Sequence, residues 1–349
     1  MRAEKGIKVA VYGAGAMGTV LGAFLTESGV NAHLISRNRE HIAALKSDGA
    51  TVLCVADDTE KKIPVTALLP EETSEKYDLI FLMTKQRENK KIAEFLKNYL
   101  TDGGIVCTTQ NGLPEEGLCE ILGRDKVYGA AVSFGATFIG EGKVKLTSAL
   151  SAMSMQVGGY RNDNAKLPLL AEVLQGIGAL CGNMEFLKTT DNLAGARWSK
   201  LCINAAFSGL SVVTGCTFGE LSKRRKSKKI ALGIIRECLA VSKSLGVSVE
   251  PMQGHDLKKL LGQGGLFQNL KGKIVLPIAM KKHALLRSGM LNDVENGRKC
   301  EIDFINGVVA SLGKKAGVPT PLNEQVVEIV HGIENGLYEI SYKNLDFFA

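Results

Sequence analysis

Ile7-Lys8-Val9-Ala10-Val11-Tyr12-Gly13-Ala14-Gly15-Ala16-Met17-Gly18 decides the fold of this chain. An apolar run of strand length leads without a break into G-x-G-x-x-G. The segment over 16–28, with Val20, Leu21, Phe24 and Leu25 on one side, then reads as a helix. In that setting each glycine has a task. Gly13 permits the tight turn, Gly15 lets the backbone approach a pyrophosphate, and Gly18 lets helix and strand pack closely. The helix start offers N–H groups and a positive dipole end to phosphate, and Ala14, Ala16 and Met17 complete the loop. A dinucleotide site is the sharp reading. A glycine turn without a ligand is the bland one.

Outward from this loop, short apolar runs alternate with helical patterns. Strands are expected over 32–36, 78–84 and 104–109, and helices over 41–47 and 87–100. Strands with apolar centres, separated by helices, predict a parallel sheet covered on both faces. Residues 127–139, 143–146, 154–157 and 184–187 read as further strands that extend the sheet with antiparallel or mixed pairing. From Asp191, a candidate cap, the pattern turns helical: 191–210, 230–245, 274–286, 300–316 and 323–333. Several of these segments end in glycine, at Gly215, Gly246, Gly289 and Gly317. The expectation is an α/β chain: an N-terminal Rossmann-type dinucleotide-binding domain over 1–188, then an all-helical C-terminal substrate domain over 189–349. A length of 349 residues suits two domains of roughly 150 or more.

Composition narrows the function classes. With 45% hydrophobic and 23% charged residues, the chain has enough apolar surface to exclude a mostly disordered protein. A net charge of +7 suits anionic small molecules without requiring nucleic acid. The densest charge run, Lys223-Arg224-Arg225-Lys226-Ser227-Lys228-Lys229, lacks interleaved aromatics and reads as a solvated helix start or loop. The 8 cysteines are widely spaced among apolar neighbours, with neither C-x-x-C nor zinc spacing. Reduced core thiols in a cytoplasmic protein are expected, with no metal, no nucleic acid and no membrane partner. The apolar run over 7–12 is too short for a signal sequence, and 203–215 is too polar for a membrane span.

The end of the second strand addresses the cofactor. An enzyme that binds NAD usually places an acid there for the ribose 2′-hydroxyl. Here the residues are Ser36-Arg37-Asn38-Arg39. A guanidinium pairs with a 2′-phosphate, so NADPH is expected, with Arg37 as the reader and Arg39 as a solvated neighbour. Further along, Lys200 and Asn204 share a helix face at i and i+4. Burial among apolar neighbours would lower the lysine pKa and make it a usable proton donor. A surface lysine lying over an amphipathic helix is the competing reading. Glu301, in Cys300-Glu301-Ile302-Asp303-Phe304-Ile305-Asn306-Gly307, is either a cleft-facing acid or a helix-end acid in the dipole field.

The ordered set of Gly13 to Gly18, Lys85, Gln110-Asn111-Gly112, Trp198-x-Lys200-x-x-x-Asn204 and the Glu301 to Gly307 motif resembles the ketopantoate reductase (2-dehydropantoate 2-reductase) family. The resemblance spans nearly the whole chain. It implies NADPH-dependent reduction of ketopantoate to pantoate, a step towards pantothenate. It implies a catalytic set of Lys200 as general acid, Asn111 beside the nicotinamide and Glu301 near the substrate hydroxyl. Arg37 would select the 2′-phosphate, Lys85 would lie close to the cofactor, and Asn204 would contact substrate. Three substrate positions depart from the family pattern. Ser208 stands where a second asparagine is expected. In Leu286-Arg287-Ser288-Gly289-Met290, Leu286 and Gly289 stand where the family carries asparagine and a carboxylate-binding serine, so Ser288 or Arg287 would have to take over. The alternatives are a reductase of another branched or bulky 2-keto acid, or a non-catalytic nucleotide-binding regulator on the same scaffold. The expected partner is a small 2-keto acid, and the expected state a monomer or homodimer.

Overall fold

Strand β1 (Lys8–Tyr12) is buried from its second residue onward, and α1 (Ala16–Glu27) covers it with Val20, Leu21, Phe24 and Leu25. The computed structural model describes residues 6–251, 256–261 and 266–348. The chain packs as two units. One runs up to Gln110 and resumes over Pro114–Leu193; the other holds Asn111–Leu113 and the chain from Ala194 onward.

In the first unit β1 and α1 are followed by β2 (Asn31–Ile35), α2 (Arg39–Asp48), β3 (Ala50–Cys54), β4 (Thr59–Ile63) and β5 (Thr66–Leu68). Next come β6 (Tyr77–Leu82), α3 (Asn89–Lys97), β7 (Leu100–Thr108), α4 (Glu115–Leu122) and β8 (Val127–Val132). The unit closes with β9 (Ala136–Gly140), β10 (Lys143–Leu146), β11 (Met155–Gly159), α5 (Leu167–Leu180) and β12 (Leu187–Thr189). Eight strands form one sheet in the order β12-β11-β8-β7-β6-β1-β2-β5. Every pair in it is parallel except β8 with β11. From β1 the chain builds outward through β2 and β5 on one side, then crosses to β6 and continues through β7 and β8 on the other. The reversal between β1 and β6 is a topological switch point, where loops leave the carboxyl ends of neighbouring strands in opposite directions and open a crevice for ligands.

Four strands contradict the expected single sheet. They form a second sheet, β4-β3-β10-β9, in which β10 runs parallel to β3. The run over 127–139 is two strands, β8 in the large sheet and β9 in the small one, separated at Ser133–Gly135. The strand expected over 184–187 is displaced to Leu187–Thr189.

The second unit is helical: α6 (Leu193–Thr214), α7 (Phe218–Lys223), α8 (Arg225–Ser244), α9 (Leu257–Leu261), α10 (Leu266–Ala279), α11 (Gly289–Glu295), α12 (Ile302–Ala316) and α13 (Pro321–Glu334). Its core includes Phe207, Leu210, Ile234, Ile235, Val309, Ile329 and Val330. The helix expected over 274–286 instead spans Leu266–Ala279, with Pro277 removing one ladder bond in its last turns, and the chain then tightens into a 3-10 turn over Lys281–His283. Gly289, expected to end a helix, begins one, because the Ser288 hydroxyl accepts the Met290 N–H at 3.1 Å and caps α11. The basic run is the start of α8. Its Arg224 pairs with Glu220 and lies 4.7 Å from the Tyr342 ring centre, Lys226 pairs with Asp346, and Ser227 is fully buried.

All eight cysteines are thiols; seven are buried and Cys119 is partly buried. Loss of water raises the thiol pKa at Cys54 and Cys238, and takes it to about 11 at Cys181 and about 12 at Cys119 and Cys300. Among the described residues no cluster of His, Cys, Asp and Glu could hold a metal ion. None of the helices there is long and apolar enough to cross a membrane.

Candidate active site

The glycine loop leaves β1 at the switch point. Gly13 adopts φ +108°, and its N–H and that of Ala14 both donate to the Ile35 carbonyl, at 2.9 and 3.0 Å. A Cβ on Gly13 would lie 2.6 Å from the Thr84 nitrogen, and one on Gly18 would lie 2.3 Å from the Gly13 carbonyl oxygen. Internal packing therefore demands glycine at both positions. Gly15 is different: it is exposed, and a Cβ there meets nothing within 4 Å. The first turn of α1 has no acidic residue and no side-chain cap, so its N–H groups face the open space over Gly15. This cradle fits a pyrophosphate. Ala16 and Met17 open the helix and are partly buried.

Arg37 follows β2, and its guanidinium lies 2.7 Å from the Glu88 carboxylate, with 73% of the arginine side chain exposed. Asn38 caps α2 through the His41 N–H at 3.1 Å, and Arg39 pairs with Glu71. Lys85 is exposed after β6, and Asn111 is exposed after β7 in a turn that Gly112 closes at φ +80°. The loop, Arg37, Lys85 and Asn111 thus all follow the carboxyl ends of parallel strands.

In the second unit, α6 carries a polar stripe. Lys200, Asn204, Ser208 and Ser211 recur at helical spacing and share one face. The Ser208 hydroxyl donates to the Asn204 side-chain oxygen at 3.4 Å, and Ser211 donates to the Cys216 carbonyl at 2.8 Å. The Ser288 N–H approaches the Ser211 hydroxyl at 3.4 Å, which places the Leu286-to-Gly289 loop at the far end of this stripe. Lys200 is itself partly buried, and its helix neighbours Arg197, Trp198, Ser199, Leu201 and Cys202 are each no more than 3% exposed. Loss of solvation, with the like charge of Arg197 adding to it, lowers the Lys200 pKa from 10.5 to about 7. The lysine can therefore both give and take a proton near neutrality. Arg197 was not visible as a contributor in the sequence; its position one turn before Lys200 is the signal that marks it.

Glu301 is the partly buried N-cap residue of α12, with no side-chain capping bond of its own. Its helix is tied to the stripe by Asn306, fully buried, whose amide donates to the Ala205 carbonyl of α6 at 3.1 Å and to Asn323 at 2.9 Å. Ser288 is 3% exposed and caps α11, while Arg287 is held by Glu295 at 2.6 Å. Leu286 is 40% exposed, and a side chain at Gly289 would meet nothing within 4 Å.

Residues 9–159 match the family model described as Ketopantoate reductase PanE/ApbA, and residues 192–334 match that of its C terminal part. The chain belongs to the ketopantoate reductase family. It is 25% identical to the 2-dehydropantoate 2-reductase of Archaeoglobus fulgidus, over 95% of this chain and 99% of that protein. Among solved structures it is similar to D-mandelate dehydrogenase with NADH and anilino(oxo)acetate, at TM-score 0.80 and 25% identity over 95% of this chain and 99% of that one. The ketopantoate reductase of Ralstonia eutropha JMP134 superposes at TM-score 0.78 with 23% identity, over 95% and 99% of the two chains. These ketopantoate reductase relatives match the chain through both units.

Proposed function

We propose that the protein reduces 2-dehydropantoate to pantoate with NADPH, in the soluble phase of the cytoplasm, as a monomer or homodimer. The carrying observation is Lys200: a lysine with its pKa lowered to about 7, on one helix face with Asn204 and Ser208. The chemistry that a bound nicotinamide supplies is a hydride for the keto carbon. Lys200 gives the matching proton to the carbonyl oxygen, which becomes the alcohol, and regains one from water. Asn111 orients the lysine, and Glu301 accepts a hydrogen bond from the substrate hydroxyl. Asn204 and Ser208 hold the polar atoms of the keto acid. Ser288, whose oxygen accepts the Met290 N–H, would meet a carboxylate through its own proton. The loop of Gly13, Ala14, Gly15, Ala16, Met17 and Gly18 forms the pyrophosphate cradle, Gly13 and Gly18 through its close packing and Gly15 through its open face; Arg37 takes the 2′-phosphate, and Lys85 lies on the cofactor side. Loss of NADPH absorbance on adding 2-dehydropantoate tests the reading; no turnover with any 2-keto acid would leave a nucleotide-binding regulator.

NADPH is preferred to NADH in this reading because Arg37 supplies a charge-assisted contact to the extra phosphate. Arg37→Ala should weaken NADPH binding by about tenfold to a hundredfold and leave NADH nearly unchanged. Glu88→Gln frees the guanidinium and should raise the NADPH preference only a few fold, since the pair is exposed. Equal losses for both cofactors would show that Arg37 does not read the phosphate.

Exposed Leu286 and the open space at Gly289 favour a second reading, a 2-keto acid with a larger hydrocarbon side chain. Two missing hydrogen bonds to a charged group cost about one to two decades each in affinity. Leu286→Asn with Gly289→Ser should then improve kcat/KM for 2-dehydropantoate and worsen it for an aryl 2-keto acid. A low wild-type KM for 2-dehydropantoate that the double substitution raises would rule this reading out.

A further inference from the structure

Gln110 lies beside the switch point, 5% exposed, and the mechanism above gives it no role. Its amide nitrogen donates to the Thr84 carbonyl at 2.8 Å and to the Asn89 side-chain oxygen at 2.7 Å, with the Thr84 hydroxyl at 3.3 Å. Its amide oxygen accepts from Asn89 Nδ2 and from the Thr108 hydroxyl, both at 3.0 Å. The same Thr108 oxygen accepts the Gln110 backbone N–H at 3.3 Å. An amide has two N–H donors and two acceptor lone pairs, and here all four are engaged. Glutamate would lack the donors, leucine would lack everything, and asparagine is shorter by a methylene.

The partners give the arrangement its meaning. The Thr84 backbone lies flat against Gly13, so closely that no Cβ fits between them. Lys85 follows Thr84, and Asn111 follows Gln110. One buried amide therefore joins the end of β7 to the end of β6, and β6 bears directly on the glycine loop.

We infer that Gln110 is a positioning residue, which through Thr84 sets Lys85 in register with the glycine loop so that these strand ends grip the dinucleotide as a unit. The inference rests on reading that end of the sheet as the dinucleotide site. Gln110 is buried with its amide fully engaged, so its effect passes through Thr84.

Two variants test this. Gln110→Leu should raise the NADPH Kd in a binary titration by about tenfold and lower kcat by about as much, while the KM for the keto acid stays within about twofold. Gln110→Glu carries the test even where the leucine variant fails to fold. Near pH 8 its carboxylate is ionised and faces the Thr84 carbonyl with nothing to donate. As pH falls towards about 5.5 the carboxyl regains a proton and with it a donor, so its NADPH deficit relative to wild type should shrink. A deficit that does not vary with pH would overturn the inference. So would a leucine variant with unaltered Kd and kcat, or losses that merely follow the folded fraction in a thermal melt. A wild-type protein that binds no NADPH in the same titration would mark the failure of the dinucleotide reading itself.

Discussion

Lys200→Ala should lower kcat by about two to four orders of magnitude, the usual contribution of a positioned acid, and leave the NADPH Kd unchanged. The pH profile checks the same assignment independently. Reduction needs the ammonium form, whose pKa burial and Arg197 bring to about 7. In the free enzyme kcat/KM for reduction should therefore be flat below about pH 7 and fall as the lysine deprotonates above it. Oxidation of the 2-hydroxy acid should do the opposite and rise through the same range. The limb should move upward in kcat, because a bound anion favours the cation. Stability carries the matching sign. The unfolded chain holds the lysine proton up to its ordinary value and the folded chain releases it near 7, so this group makes folding more favourable as pH rises between the two. Lys200→Met should accordingly raise Tm more at pH 6 than at pH 10. A near-normal kcat in Lys200→Ala, or a profile without a limb near 7, would remove the lysine from the proton-transfer step.

Gly15→Val should leave Tm within a degree or two and abolish measurable NADPH binding, a loss of more than about a hundredfold. The backbone of Gly15, at φ −85°, is ordinary for any L-residue, and the added side chain enters space that no protein atom occupies. The only casualty is whatever needs to approach that backbone. Gly18→Ala makes the contrasting case. Its methyl would sit 2.3 Å from the Gly13 carbonyl, so it should cost stability by about 1–3 kcal/mol or more before any effect on the cofactor is read. If Gly15→Val melted like Gly18→Ala, the open space would be a packing requirement and the cradle argument would fall.

The parts of the fold that were legible are those written in local periodicity. Strand β1, the glycine loop and α1 lie within twenty consecutive residues or so, and each apolar position faces one core. The small sheet was not legible because its logic is non-local. β4 reads Thr59-Glu60-Lys61-Lys62-Ile63, mostly exposed, and is a strand because β3 pairs with it on one side and with distant β10 on the other. Helix α5 escaped notice for the opposite reason: Leu167–Leu180 is apolar on most sides and interrupted by Gly176 and Gly178, so it shows no clean stripe. At the site, the i and i+4 spacing of Lys200 and Asn204 was visible, but the size of the pKa shift was not, because it depends on how far Arg197 and its neighbours are buried. Likewise Arg37 could be read as a phosphate ligand, whereas its partner Glu88 comes from a loop two strands along the sheet. Gly289 misled because Ser-Gly is compatible with either end of a helix, and only the direction of the Ser288 hydrogen bond decides between them.

The state of the thiols has a practical side. Thiol reagents attack the thiolate, and in this chain burial keeps the sulfurs protonated well above neutral pH at Cys119, Cys181 and Cys300 while most of the others are walled off inside the two cores. The native protein should therefore react slowly with maleimides under mild conditions, without any cysteine having been removed. A single cysteine placed at an exposed position such as Met184, 89% exposed, would take a fluorophore or spin label against almost no background. Distances between labelled positions in the two units could then be followed during turnover in the otherwise unaltered chain.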